Sequence, residues 1–162
     1  MEAQAIFDTL KGKFGDAVVE LQGEGFSPAF VVVAPVAVRD IALFLRDDRN
    51  HGAAAEFVRG HPEARLVMTE LVLAEVVTLL RSRTGAERAV AAARDLLRSR
   101  RYELLFSDSE ILSGALARMA RFADKRLSLT DCASFEVMER LALEAAFTFD
   151  RDFRDCGYVT LP

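Results

Sequence analysis

The stretch Arg65-Leu-Val-Met-Thr-Glu-Leu-Val-Leu-Ala-Glu-Val-Val-Thr-Leu-Leu80 reads as one βα unit. Arg65 to Thr69 is a short apolar run with the look of a core strand, and Leu71 to Arg83 is a helix apolar nearly all round at its start. The same alternation continues toward the carboxyl terminus. Ala86 to Arg100 reads as a long helix and Tyr102 to Phe106 as a strand. Ser109 to Ala123 reads as a helix capped by Ser109, Asp131 to Leu143 as another, and Ala146 to Phe149 and Tyr158 to Leu161 as closing strands. Toward the amino terminus, His51 to Arg59 is helical after the break at Asp47-Asp48-Arg49-Asn50, and Pro35 suits the first turn of a helix running to about Arg46. Residues 3–14 form an amphipathic helix stopped by Gly15. Ala17 to Leu21 and Ala29 to Ala34 form strands of a hairpin around Gly23-Glu24-Gly25. Short apolar strands alternating with helices mean an α/β fold, a mostly parallel sheet with helices on both faces.

The chain has 162 residues, of which 51% are hydrophobic and 28% charged, which suits one globular core and excludes a disordered chain. The longest apolar run, Ala29 to Val38, is far short of the roughly 18 residues a membrane span needs. With no basic-then-apolar leader at Met1, the expected location is the cytoplasm. Cys132 and Cys156 lack metal-ligand spacing and read as free, buried thiols. The net charge of −4 is unevenly placed: residues 1–48 hold eight acids against four bases, and 49–162 hold seventeen of each. Lys11 and Lys13 lie in the first third, and Lys125 is the one lysine of the remainder, whose other sixteen bases are arginine. The composition therefore changes near Asp47-Asp48.

Three carboxylates sit where a plain core would not place them. Glu75 lies in the apolar helix, so it must face an exposed stripe, pair with a base or face a polar cleft. Asp131 follows Leu127-Ser-Leu-Thr130 at a helix start, where a carboxylate gains from unsatisfied amides. Asp150 directly follows Ala146-Phe-Thr-Phe149, at the carboxyl end of a core strand, where open α/β sheets place ligands and where turns also favour Asp. Asp152 either shares that site or is solvated. Gathered at one edge, three such acids would hold Mg²⁺ or Mn²⁺, hard ions that take oxygen ligands and activate water for phosphodiester hydrolysis.

Four stretches carry a family resemblance. They are Asp48-Arg-Asn-His-Gly-Ala-Ala-Ala-Glu-Phe57, Thr69-Glu-Leu-Val-Leu-Ala-Glu-Val-Val-Thr-Leu-Leu80, Leu127-Ser-Leu-Thr-Asp-Cys-Ala-Ser-Phe135 and Thr148-Phe-Asp-Arg-Asp-Phe153. In order and spacing, residues from about 48 to 162 resemble the PIN domain, the nuclease fold of VapC-type toxins. The resemblance implies a three-layer sandwich, with Glu75, Asp131 and Asp150 as catalytic and metal-binding acids and Asp152 as an accessory metal ligand. It further implies Mg²⁺ or Mn²⁺ as cofactor, RNA as substrate, an antitoxin protein that covers the cleft, and a homodimer.

One departure matters. Members of this family open with a strand ending in Asp-Thr-Ser or Asp-Ser-Ser, whose Asp is a central metal ligand. Here the corresponding strand reads Phe30-Val-Val-Val-Ala-Pro35, with Ala34 or Pro35 at that place. Residues 1–48 instead resemble the amino-terminal segment of one subunit of the respiratory NADH-quinone oxidoreductase, through Phe14-Gly-Asp-Ala-Val-Val19, Phe30-Val-Val-Val-Ala-Pro35 and Leu43-Phe-Leu-Arg-Asp-Asp48. The expected organisation is a chimaera in one fold. Residues 1–48 supply a helix, a hairpin strand and the missing first βα unit, and 49–162 form the PIN-like domain. Asp40, the nearest acid, lies about one turn into a helix and not at the strand end. The expected function is a PIN-like endoribonuclease, weak or inactive for want of its first Asp. A non-catalytic RNA- or protein-binding module and a partner of the respiratory NADH dehydrogenase are the alternatives.

Arg81, Arg83, Arg88, Arg94, Arg98, Arg100 and Arg101 fall within twenty-one residues, a run that could meet RNA phosphates or form solvated helix faces. His51 and His61 have no serine or cysteine constellation around them. Gly23-Glu-Gly25 is too short to cradle a phosphate.

Overall fold

The structure is a computed structural model that describes residues 31–33, 50–62 and 64–161. Five strands form one sheet: β1 (Val31–Val33), β2 (Leu66–Thr69), β3 (Tyr102–Leu105), β4 (Ala145–Phe147) and β5 (Val159–Leu161). Their order is β3-β2-β1-β4-β5, and every pairing among the described strands is parallel. Parallel neighbours require crossovers, and the helices supply them: α1 (His51–Gly60), α2 (Glu70–Thr84), α3 (Ala86–Arg98), α4 (Ser109–Arg121), α5 (Leu129–Arg140) and α6 (Arg151–Asp155). The expected hairpin and amino-terminal helix, and the helix from Pro35, fall outside the described residues. The short strand Val31–Val33 lies inside them, in the middle of the sheet between β2 and β4.

The two-residue period of the strands sorts the core into two clusters. In β2, Val67 packs with Ala115, Phe135 and Phe153, which belong to α4, α5 and α6. Its neighbours Leu66 and Met68 pack with Ala54, Val72 and Leu96, from α1, α2 and α3. Ala146 and Phe147 of β4 divide the same way. Helices α1–α3 therefore cover one face and α4–α6 the other, a three-layer sandwich. All four residues of β2 are buried, as a strand covered on both faces requires.

Local chemistry adjusts several boundaries. Helix α4 is capped by Asp108, whose carboxylate accepts from Ile111 N at 2.7 Å, and not by Ser109. Helix α5 starts at Leu129 behind the cap Ser128, so Asp131 is its third residue. Helix α3 stops at Arg98, before Arg101 turns its guanidinium onto the carbonyls of Val58 and Pro62, both at 2.9 Å. The strand expected to reach Phe149 stops at Phe147, because Asp150 opens a further short helix that has too few residues to show a period in the sequence. Gly85 divides α2 from α3 with φ of 88°, a left-handed backbone that favours glycine. Cys132 is buried as expected, whereas Cys156 is only half-buried.

Phe135 lies tilted against Phe153 at a centroid distance of 4.5 Å and stacks on Tyr158 at 5.2 Å, all on the α4–α6 face. Phe135 is fully buried, so Phe135→Ala is expected to cost about 3–5 kcal/mol of unfolding free energy in urea denaturation. A loss below about 1 kcal/mol would contradict this packing.

Candidate functional site

In an open parallel sheet, ligands bind beyond the carboxyl ends of the strands, at the point where the strand order reverses. Here the chain steps outward from β1 to β2 to β3 and then returns to the other side of β1 for β4. The reversal therefore lies between β1 and β4. Thr69 and Thr148, at the carboxyl sides of β2 and β4, are both fully buried. Each hydroxyl serves the backbone that leaves the sheet: Thr69 accepts from Val72 N at 3.3 Å, and Thr148 accepts from Asp150 N at 3.1 Å.

Asp131 is 7% exposed, and its two oxygens have different surroundings. Oδ2 accepts from Ser128 N and from Ser128 Oγ, each at 2.7 Å, while Ser128 Oγ accepts from Asp131 N at 3.1 Å. That is a reciprocal capping box at the start of α5. Oδ1 is buried with no hydrogen-bond partner. Burial pushes the Asp131 carboxyl up to about 6, and the nearby charges of Asp150 and Glu75 push the same way against the Ser128 bonds. A buried carboxylate with one unpartnered oxygen is costly unless a cation meets it.

Glu75 stands in the second turn of α2 and is half-buried. Its Oε1 accepts from Thr130 Oγ1 at 2.6 Å. The sequence allows Glu75 a base, an exposed stripe or a cleft. The observed partner is a hydroxyl next to Asp131, a contact that the reading of Glu75 among its own neighbours misses. The Ser128-x-x-Asp131 box is the available signal that residues 128–131 turn sharply enough to present Thr130 and Asp131 together.

Asp150 caps α6, its Oδ1 accepting from Asp152 N at 2.8 Å. The turn role and the strand-end position thus coexist. Asp152 is half-buried, and its carboxyl is raised by burial and by Asp150, with Lys125 opposing. Asp131 therefore feels both Glu75 and Asp150, and Asp152 feels Asp150. Among the described residues, however, no three His, Cys, Asp or Glu side chains close into a common ligating cluster. The acids act on one another electrostatically across the rim and do not form a finished cage. Asp40 and the Ala34-Pro35 end of the first strand lie outside the described residues.

The other candidates have structural partners. His61 stacks on Phe57 at 4.4 Å, and its Nδ1 lies 2.9 Å from Phe57 O. Arg101 is spent on backbone carbonyls, which leaves Arg81, Arg83, Arg88, Arg94, Arg98 and Arg100 exposed. A cavity of about 370 Å³, lined by residues including Arg65, Arg100 and Tyr102, opens near the start of β3 and away from the acids. No helix among the described residues is long and apolar enough to cross a membrane.

The sequence profile of the PIN domain matches residues 41–157. The chain belongs to the PIN-domain family. It is 36% identical over 120 residues to the 23S rRNA-specific endonuclease VapC20 of Mycobacterium tuberculosis, in both strain CDC 1551 / Oshkosh and strain H37Rv. The match covers 73% of this chain and 88% of the relative. A solved structure, that of M. tuberculosis VapC20 described as a sarcin-ricin loop cleaving toxin, superposes with a TM-score of 0.71 at 27% identity. It covers 81% of this chain and 97% of that one. The all-parallel three-layer sheet described above is consistent with this PIN-domain fold.

Asp131 and Thr130 each have a measurable consequence. The folded state holds the Asp131 proton up to about pH 6, against about 3.8 for an ordinary Asp. The stabilisation is therefore complete below about pH 3.8 and is lost as pH rises to about 6, a swing of about 3 kcal/mol for this group. Urea denaturation in EDTA at pH 4 and pH 7 is expected to show Asp131→Asn relatively more stable than the parent at pH 7. Equal differences at the two pH values would refute it. Thr130→Val removes the donor to Glu75 and leaves a half-buried carboxylate short of a bond, costing about 1–3 kcal/mol, whereas Thr130→Ser is expected to retain most of the stability.

Proposed function

We propose that the chain is a toxin-type PIN ribonuclease whose acidic rim takes Mg²⁺ or Mn²⁺ and hydrolyses RNA phosphodiesters weakly or not at all. The observation that carries the reading is Asp131 Oδ1, buried and unpartnered between the fields of Glu75 and Asp150. An all-carboxylate donor set suits a hard divalent ion, so the residues fit such a group. Asp131 would ligate through Oδ1, with Glu75 held by Thr130 and Asp150 held by its cap as the further ligands, and Asp152 in an accessory place. A bound ion supplies Lewis acidity at a phosphoryl oxygen and an acidified water. The protein's own part is to hold the carboxylates at fixed positions: Ser128 fixes the rotation of Asp131, and Thr130 that of Glu75. Membership of the PIN-domain family and the likeness to VapC20 support RNA as substrate and an antitoxin as partner, in the cytoplasm.

The weakness follows from Ala34-Pro35, which stands where the family resemblance calls for Asp. Losing one ligand removes negative charge and loosens the geometry, and such losses cost on the order of a hundredfold in rate. Residues 1–48 are proposed to supply the first βα unit of this same fold, a reading supported by the central place of β1. The absent Asp also favours a second reading, a non-catalytic RNA- or protein-binding module that keeps the sheet and the rim.

Cleavage of an RNA stem-loop with Mg²⁺ or Mn²⁺, run beside VapC20, tests the proposal. Activity is expected at least about a hundredfold below that enzyme, lost in Asp131→Asn and raised in Ala34→Asp or Pro35→Asp. Robust cleavage that Asp131→Asn abolishes would overturn the claim of weakness. A thermal shift with Mn²⁺ that disappears in Asp150→Asn is expected if the rim binds the ion; no shift favours the binding-module reading.

A further inference from the structure

Phe106 is 71% exposed, the largest exposure among the described large hydrophobic side chains. It directly follows β3, so it stands on the same carboxyl rim of the sheet as the acids. Its backbone is held from both sides. Leu104 and Leu105 pack into the two core clusters, one on each face of the sheet. Beyond it, Ser107 donates from N at 2.9 Å and from Oγ at 3.2 Å to Glu70 Oε2, which fastens the loop to the first residue of α2. Asp108 then caps α4. A ring that is presented to solvent on a segment so tightly anchored is a preorganised platform, since little order remains to be imposed when a ligand arrives.

We propose that Phe106 stacks against an unpaired base of the RNA that lies across the acidic rim. The inference rests on the nuclease reading for its choice of ligand. Two observations support that choice over a protein partner. In strand order, β3 is three positions from β4, so at about 4.8 Å per strand the ring lies about 14 Å along the sheet from Asp150, the reach of a few nucleotides. Among the described residues the ring is also the one exposed Phe or Tyr side chain, and the polar Ser107, Asp108, Ser109 and Glu110 follow it directly. Arg140 stands 3.7 Å from Asp108 and 3.6 Å from Glu110, which offsets part of the acidic charge that phosphates meet there. Every base has a π-face, so such a platform gives affinity without strict sequence preference and without touching the chemistry.

The test is binding and cleavage of a labelled single-stranded decaribonucleotide by the full chain at low salt. Phe106→Ala is expected to weaken binding about tenfold at unchanged melting temperature, because the side chain contributes little to the core. Phe106→Trp is expected to keep the affinity, with indole emission quenched as RNA is added. In the cleavage assay, Phe106→Ala raises KM and leaves kcat and the Mn²⁺ requirement unchanged. RNA binding that depends on Phe106 in a chain that neither cleaves RNA nor gains thermal stability with Mn²⁺ sustains this proposal and sinks the metal-site reading of the rim. Cleavage with unchanged KM and affinity in Phe106→Ala does the reverse, and leaves the ring to a protein partner. A chain that binds no RNA overturns both.

Discussion

The arrangement depends on one buried carboxyl group. Asp131 divides its oxygens between two tasks, one closing the first turn of α5 through Ser128 and the other left without a partner at the rim. The capping bonds make the burial tolerable, because they satisfy Oδ2 and the amide of Ser128 at once. They also orient the first turn so that Thr130 reaches Glu75 across 55 positions of sequence. Helix start, helix pairing and acidic site are thus one set of bonds.

The rest of α5 is built to keep that turn in place. Eight of its twelve residues are buried, and Ser134 returns its hydroxyl to the Thr130 carbonyl at 2.8 Å. Arg118 of α4 pairs with Glu136 at 3.1 Å and Glu139 at 2.6 Å, while its guanidinium lies 5.7 Å from the centre of the Phe135 ring. Gly114 lets Glu136 lie against α4, since a side chain at that position would collide with the Glu136 carboxylate. The two helices are therefore locked in register on one face of the sheet, with the buried Asp131 in the first turn of α5. Burial also suppresses the chemistry of the adjacent thiol: Cys132 is pushed up to about 11 by desolvation and by Asp131, so it stays protonated.

Much of this is legible in the sequence. The α/β alternation and the parallel sheet follow from apolar runs of strand length set between helical periods, and residues 66–69 and 70–84 match their reading within a residue or so. The acids are legible because a carboxylate in an apolar helix or at a strand end is conspicuous against its neighbours. The differences are local ones. Asp108 and Ser109 are both good caps, and only the backbone turn decides between them. The short helix at 151–155 is too brief to show a period, and the tail of β4 looks like strand because Thr148 and Phe149 are good strand formers.

By itself the sequence determined the layer pattern, the three acids and the absence of an Asp at Ala34-Pro35, because these depend on residue type and short-range period. Only the tertiary structure decided what each acid touches. Asp131 caps α5 with one oxygen and leaves the other buried without a partner, Glu75 takes a hydroxyl and not a base, and Phe106 stands exposed next to the Ser107 that bonds Glu70. Hydrogen-bond partners across a fold are chosen by packing between segments tens of residues apart, and no local pattern records that choice.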